Sequence, residues 1–287
     1  MEWVDRMIIS MNNSCDPIYT VAYDELIKEV FNFSFQPWVE RRLWDERYES
    51  YSFIKNGKML SNVSIYKTDM LINCQPVRAH QFGAVATRAD ERGKGLSRQL
   101  MEYVLEKYPN IPVFLGANQN VTNFYPLFGF KPVQTFRPII DIEINNPTRE
   151  WIKCHPDDDV IQKALYRETV YSDILDSINT QPVKFCQMLT NPRFKNNIWF
   201  SPSHELVVVA RQEKQSLFIS DVISQKPIRF ESLAQGLPFT GVKHVEFEFN
   251  PDWMGVNPEW KPLDEPYFIK GNWNLPEHFR FPALSET

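Results

Sequence analysis

Val85-Ala86-Thr87-Arg88-Ala89-Asp90-Glu91-Arg92-Gly93-Lys94-Gly95-Leu96-Ser97 decides how this chain is read, together with Asn118-Gln119-Asn120-Val121-Thr122-Asn123-Phe124-Tyr125-Pro126-Leu127-Phe128-Gly129-Phe130. The first stretch ends a strand, turns on two glycines and enters a helix. Leu96, Leu100 and Val104 recur at helical spacing, with Met101 and Leu105 beside them. Glycines let successive backbone N–H groups face one concavity, and the helix N-terminus adds positive partial charge. Together these can cradle a phosphate. Arg92 and Lys94 add charge at the rim. Taken alone, such a turn is equally a solvated helix entry. It is not a Walker A loop, because G-x-x-x-x-G-K-[ST] is absent. Nor is it a G-x-G-x-x-G dinucleotide turn, because the strands before it read as antiparallel.

Working outward, Tyr23–Phe31 reads as an amphipathic helix and Trp38–Tyr48 as a second. Ser52–Lys55 meets Asn56-Gly57, a hairpin signal. Met59–Thr68 alternates as a strand, and Arg78–Thr87 is another, interrupted by Gly83. After the Leu96–Lys107 helix come a short buried strand at Pro112–Gly116, a short helix at Val121–Phe128 and a strand at Lys131–Ile142. The order predicts a mixed α/β layer. Beyond the turn-like Ile144-Asn145-Asn146-Pro147, the chain reads as helices at Asp158–Thr169 and Val183–Leu189. Strands follow at Glu205–Arg211 and Ser216–Val222, then a short helix at Phe230–Gln235 and a strand at Val242–Phe249. This order repeats that of the first half and suggests a degenerate duplication, although no residue-level repeat supports it. Past Asn250 the Trp- and Pro-rich chain reads as an irregular tail.

The 287 residues fit two domains better than one. Hydrophobic residues at 43% and a net charge of -5 exclude a disordered chain and a broad basic face for nucleic acid. No apolar run is long enough to span a membrane, and Met1–Arg6 does not read as a signal peptide. Cys15, Cys74, Cys154 and Cys186 are too scattered for a zinc site and read as reduced structural thiols. These features predict a cytoplasmic protein without metal, nucleic-acid or membrane partners.

The two opening stretches together resemble the GNAT superfamily of acyl-CoA N-acyltransferases. That family has a strand, [Q/R]-x-x-G-x-[G/A] opening a helix, a further strand, an Asn, and a helix holding Y-x-x-x-G-F. Arg92, Gly95 and Ser97 occupy the loop pattern, with Ser97 where Gly or Ala is usual. Asn118 precedes Tyr125, and Tyr125 to Phe130 completes the second motif. The resemblance implies an α/β (α+β mixed-sheet) GNAT fold, with a catalytic domain over residues 1–143. A degenerate GNAT-like domain lacking the phosphate loop would occupy 144–287 and shape the substrate pocket or a dimer surface. The long hairpin Met59–Asn73 and the extra C-terminal half look like the enhanced-intracellular-survival type, though the chain is too short for that type's sterol-carrier-like domain.

The resemblance also implies N-acetyl transfer from acetyl-CoA, as co-substrate, to a primary amine of a small molecule or peptide, by direct attack in a ternary complex. The diphosphate falls to Arg92, Gly93, Lys94, Gly95, Leu96 and Ser97, with Asn118 nearby. The pantetheine arm falls to the backbone of Ala84, Val85, Ala86 and Thr87, where Gly83 would allow a bulge. A backbone N–H near Val85 would meet charge developing on the carbonyl oxygen. Tyr125 would protonate the departing thiolate, since its pKa of about 10 lies close to that of a thiol at about 8.5. Many family members carry a Glu base on the loop strand; here Gln81 stands there and cannot serve. His80 is the nearest titratable group, although strand alternation turns it to the opposite face. A terminal carboxylate at Thr287 is a further candidate by family analogy. Aromatic and acidic residues of the first helices and their loop, above all Phe35, Trp38 and Glu40, suit an amine-bearing acceptor. A non-catalytic acyl-CoA sensor on the same fold is the alternative.

Overall fold

The computed structural model describes residues 8–12, 15–145, 150–166, 169–234 and 236–287. Met1–Arg6, and parts of the expected inter-domain turn (146–147) and of two expected helices (167–168 and 235), lie outside them. The first half runs β1 (Ile8–Met11), α1 (Pro17–Phe31), α2 (Gln36–Glu40), β2 (Tyr48–Lys55), β3 (Lys58–Ile72), β4 (Gln75–Thr87), α3 (Leu96–Lys107), β5 (Val113–Gly116), β6 (Lys131–Val133) and β7 (Phe136–Ile144). The second runs β8 (Ile152–Lys153), α4 (Asp159–Tyr166), β9 (Leu175–Ile178), α5 (Gln181–Thr190), α6 (Pro192–Lys195), β10 (Ile198–Ser201), β11 (Leu206–Glu213), β12 (Ser216–Ile223), α7 (Phe230–Ala234), β13 (Val242–Phe247), β14 (Glu259–Pro262) and β15 (Tyr267–Lys270).

Local chemistry accounts for many boundaries. Asp16 caps α1 by accepting from the Ile18 and Tyr19 amides, Pro17 fits the first turn, and Asn32 closes the helix in the left-handed region at φ 58°. The helix therefore starts earlier than its apolar periodicity indicates. Asn56 and Gly57 both have positive φ, at 52° and 74°, and close the β2–β3 hairpin as expected. The helix expected at Trp38–Tyr48 is only the five-residue α2. Tyr48 instead opens β2, where alternate aromatics pack on both faces of a buried strand.

The expected mixed α/β architecture is present as two sheets. The first has the order β1-β2-β3-β4-β5-β15-β6, with β9 paired to β3. The second has the order β14-β7-β13-β12-β11-β10-β8. In each, a three-strand antiparallel meander leads through a helix to a parallel neighbour: β4 with β5, and β12 with β13. The duplication suggested by element order is thus present in topology.

The strand expected at Lys131–Ile142 breaks at Gln134-Thr135, and its two parts enter different sheets. β7 leaves the first half and pairs between β13 and β14. Reciprocally β15, from the stretch that reads as an irregular tail, inserts antiparallel between β5 and β6. A cut between residues 143 and 144 separates the halves in sequence but not in pairing. The first sheet takes β9 and β15 from the second half, and the second takes β7 from the first.

One irregularity positions the site. The β3–β4 register slips between Asn62 and Ser64, so that Ala84 and Val85 oppose Val63 alone. Ala84, not Gly83, takes the left-handed conformation, at φ 47°. The fully buried Asn62 holds this bulge: its Nδ2 donates to the Ala84 carbonyl at 2.9 Å and to Ser64 Oγ at 2.9 Å. Its Oδ1 accepts from Ser50 at 2.6 Å and Ser52 at 2.8 Å, and both serines bond the Tyr19 hydroxyl.

Replacing Asn62 by Leu leaves the Ala84 carbonyl and two serine hydroxyls short of partners inside the core. Each buried orphan costs about 1–3 kcal/mol, so Asn62→Leu is expected to lower stability by about 3 kcal/mol, read as a reduced urea midpoint with unchanged slope. A second expectation concerns acid. Fully buried Glu248 accepts from Arg193, from Arg211 at 3.0 Å and from Ser220 at 2.6 Å. Desolvation opposes its charge, but the two guanidiniums win and hold its carboxyl at about 2 against an ordinary 4.5. A carboxyl depressed in the folded state adds stability above its unfolded pKa and loses it as pH falls from about 4.5 towards 2. Thermal melts of Glu248→Gln should show a shallower fall across that window, and roughly 3 kcal/mol less stability at neutral pH because two cations lose their partner.

Candidate active site

β4 and β5 pair only through His80–Val113 and Gln81–Phe114. Beyond Gln81 the bulge turns β4 away, while β5 continues antiparallel to β15 as far as Gly116–Tyr267. The result is a fork between two parallel strands, continuous with a cleft of about 1040 Å³. Gly83, Ala84, Val85 and Thr87 line one side; Gly116, Ala117 and Asn118 line the other.

The expected cradle sits at the outer end. Gly93 and Gly95 have φ of 77° and 76°, a conformation that strains any residue with a Cβ, and Gly95 is the N-cap of α3. Space above both is open: nothing lies within 4 Å of a Cβ built on Gly93, and only Gln99 Nε2, at 3.8 Å, approaches one on Gly95. Arg92, Gly93, Gly95, Leu96 and Ser97 all line the cleft. Arg92 Nε is anchored to the Thr87 carbonyl at 3.2 Å, and Ser97 Oγ lies 2.5 Å from Thr87 Oγ1, which ties strand end to helix start. Lys94 is not among the lining residues and pairs with Glu91 at 3.0 Å. Ala86 is also absent from the lining, since alternation turns it into the core beside α1. Arg98 lines the cleft from the first turn of α3, and the Gly/Lys pattern does not single it out.

Tyr125 lines the same cleft from a single 3-10 turn closed by Gly129 at φ 79°. Its ring packs edge-on against Phe130 and tilted against Phe268 of β15, with centroids 6.0 and 5.5 Å apart. Burial pushes its hydroxyl up to about 12, so the phenol stays protonated.

His80 is not part of this assembly. It is 3% exposed, stacks edge-on against Tyr108 at 4.6 Å, and does not line the cleft. Burial lowers its pKa to about 4, so it sits as a neutral packing residue on the face opposite Gln81. Of the residues expected around the acceptor, Phe35 lines the cleft together with Val30, Phe31, Phe33 and Tyr48. Trp38 is 2% exposed in an aromatic cluster with Phe35, Trp44 and Tyr48, and the side chain of Glu40 meets Gln36 on the outer surface. Neither lines the cleft.

The inner wall comes from the far half of the chain. Arg193, Glu265, Pro266, Tyr267, Glu286 and Thr287 all line it. Thr287 donates its backbone N–H to Gln81 Oε1 at 3.1 Å and lies against Gly83, where a Cβ would meet Thr287 Oγ1 at 2.9 Å. Gly83 is therefore explained by this close approach rather than by the bulge. Glu286 Oε1 accepts from the Tyr267 hydroxyl at 2.5 Å, and its other oxygen would lie 3.9 Å from a Cβ on Gly116. Thr287, expected by family analogy alone, is thus in the cleft, and no spacing signal in the sequence points to the others.

The GNAT-domain acetyltransferase family model matches residues 19–133. Protein ElaA of Escherichia coli is 36% identical over 83 residues, which is 28% of this chain and 51% of that protein; the chain thus spans about half the length of the curated relatives it matches. Among solved structures, a probable N-acyltransferase of Enterococcus faecalis superposes with a TM-score of 0.59 at 16% identity, over 93% of this chain and 72% of that one. Eis1 of Mycobacterium abscessus does so with a TM-score of 0.52 at 10% identity, over 91% of this chain and 73% of that one. At such identities the two superpositions speak for a shared fold, and they extend across both sheets. With an open glycine cradle at the start of α3, the fork beside it and the domain match, residues 19–133 carry a GNAT acetyltransferase domain.

Proposed function

We propose that this chain is an N-acetyltransferase that moves an acetyl group from acetyl-CoA to a primary amine of a small molecule or peptide, within a ternary complex. The observation that carries the reading is the shared cleft: cradle, bulged strand and Tyr125 all line one cavity. In this reading acetyl-CoA supplies the activated acyl group. The amides from Arg92 to Ser97 take its diphosphate, with Arg92 and Arg98 adding charge. The residues that the bulge withdraws from the β3 ladder, Ala84 and Val85, offer backbone groups to an extended pantetheine arm. One of their N–H groups meets the charge that develops on the carbonyl oxygen.

Tyr125 holds the proton that the departing sulfur needs. Its raised pKa widens the gap to a free thiol at about 8.5, but the same apolar surroundings raise the thiol too, so the transfer stays close to balance. Phe31, Phe33 and Phe35 offer the acceptor an apolar wall. The reading places the reaction in the cytoplasm and leaves room for a homo-oligomer.

Two outcomes test the proposal. Gly95→Glu fills the cradle with a side chain of the wrong charge and should abolish the rise in melting temperature that CoA gives the wild type; a retained rise contradicts the placement. Tyr125→Phe, assayed by thiol release from acetyl-CoA with a panel of amines, should lower kcat about 100-fold or more while CoA binding persists. Binding by the wild type without release to any amine would favour the sensor reading instead.

A further inference from the structure

The transferase reading leaves one demand unmet. An alkylammonium has a pKa near 10.4 and cannot attack until it loses a proton. On β4 the position facing the fork holds Gln81, an amide, and His80 faces away. Among the described residues, the side-chain carboxylates that line the cleft are Glu91, Glu265 and Glu286; Thr287, whose terminal carboxyl is the candidate by family analogy, lines it too. Glu91 is committed to Lys94 at the diphosphate end, and Glu265 is exposed at the rim. Of the three side chains, Glu286 stands in the fork, its Oε2 beside Gly116 of β5, while the main chain of Thr287 lies against the Gly83 bend of β4.

We infer, on the footing of the transferase reading, that Glu286 is the general base that deprotonates the acceptor amine. The Gln81 amide does not replace a base; it anchors the segment that brings one, by accepting the N–H of the neighbouring Thr287. A second anchor is the Glu286 carbonyl, which accepts from Gln187 of α5 at 2.6 Å. The Tyr267 hydroxyl occupies Oε1 and leaves Oε2 towards Gly116 and the cleft.

The proton ledger balances. The acceptor enters as an ammonium and gives one proton to the Glu286 carboxylate, which frees the nitrogen lone pair. The C–N bond forms as the C–S bond breaks, and the sulfur takes the Tyr125 proton. The second proton shed by nitrogen restores the Tyr125 phenol, and Glu286 returns its own to solvent. One amide, one thiol and one proton leave per turnover.

The groups around Glu286 set its working range. Burial dominates and pushes its carboxyl up to about 8; Glu265 pushes the same way, while the Tyr267 hydrogen bond, Arg280 and Arg193 pull it down. A base titrating there is partly ionised near neutrality and strong enough to compete for an ammonium proton. The rate should therefore climb with pH up to about 8 and then level off.

The test is the pH profile of thiol release from acetyl-CoA with the amine panel. The wild type is compared with Glu286→Gln, whose side chain can still accept from Tyr267. The expected result is a rate at least about 100-fold lower at pH 7, loss of the rising limb, unchanged CoA protection in melts, and partial recovery in Glu286→Asp. Tyr267→Phe, which removes the hydrogen bond that favours the ionised form, should move the limb to higher pH; it reads the same group if Glu286→Gln does not fold. Wild-type rate and profile in Glu286→Gln, or in Tyr267→Phe alone, overturn the assignment and leave the transferase reading standing. A wild type that binds acetyl-CoA but acylates no amine overturns that reading and this inference with it.

Discussion

The carboxamide of Asn62 is the constraint on which the site depends. A β-ladder left to itself would zip β4 against both neighbours and leave no slot. Asn62 prevents this by giving the Ala84 carbonyl a partner that the regular register would not supply. Buried polar groups are expensive without partners, so the hydroxyls of Tyr19, Ser50, Ser52 and Ser64 that surround Asn62 fix its orientation as well as its position. The left-handed Ala84 costs conformational energy, and the network offsets it. The strain thus sits where the backbone faces the cleft rather than a strand.

The reciprocal exchange of β7 and β15 is the second organising feature. β15 is the strand against which β5 continues once β4 has turned away, so the far half of the chain supplies the inner wall of the cleft. Phe268 of β15 packs on Tyr125, Tyr267 holds Glu286, and Arg193 reaches the cleft from the Glu248 network in the second sheet. The second half carries no glycine cradle of its own at α7. Its contribution is the wall, the anchors and the carboxylate, which gives a physical role to the half that lacks the loop.

What was legible in the sequence is what local chemistry dictates. The glycines at 93 and 95, the helix at 96–107 and the Asn56-Gly57 hairpin each follow from residues next to one another, whereas the helix expected at Val121–Phe128 is two 3-10 turns, Gln119–Val121 and Tyr125–Phe128. What was not legible depends on partners far along the chain. Gly83 reads locally as a bulge, yet its small size serves Thr287, more than 200 residues away, while Ala84 takes the positive φ because Asn62 holds it there. β15 lies in a Pro- and Trp-rich stretch whose strand character comes from the empty edge it fills. Trp38 and Glu40 sit on the short helix that follows the cleft-lining Phe35, and its pitch turns one into the core and the other to solvent. Alternation along β4 did place His80 on the face away from Gln81.

The most direct measurement is a crystal structure of the chain with CoA bound. The account places the diphosphate on the amides of Arg92–Ser97, the pantetheine arm alongside Ala84–Thr87, and the sulfur within about 3.5 Å of the Tyr125 hydroxyl. A diphosphate bound away from that bend, or a sulfur on the far side of the fork from Tyr125, would contradict it.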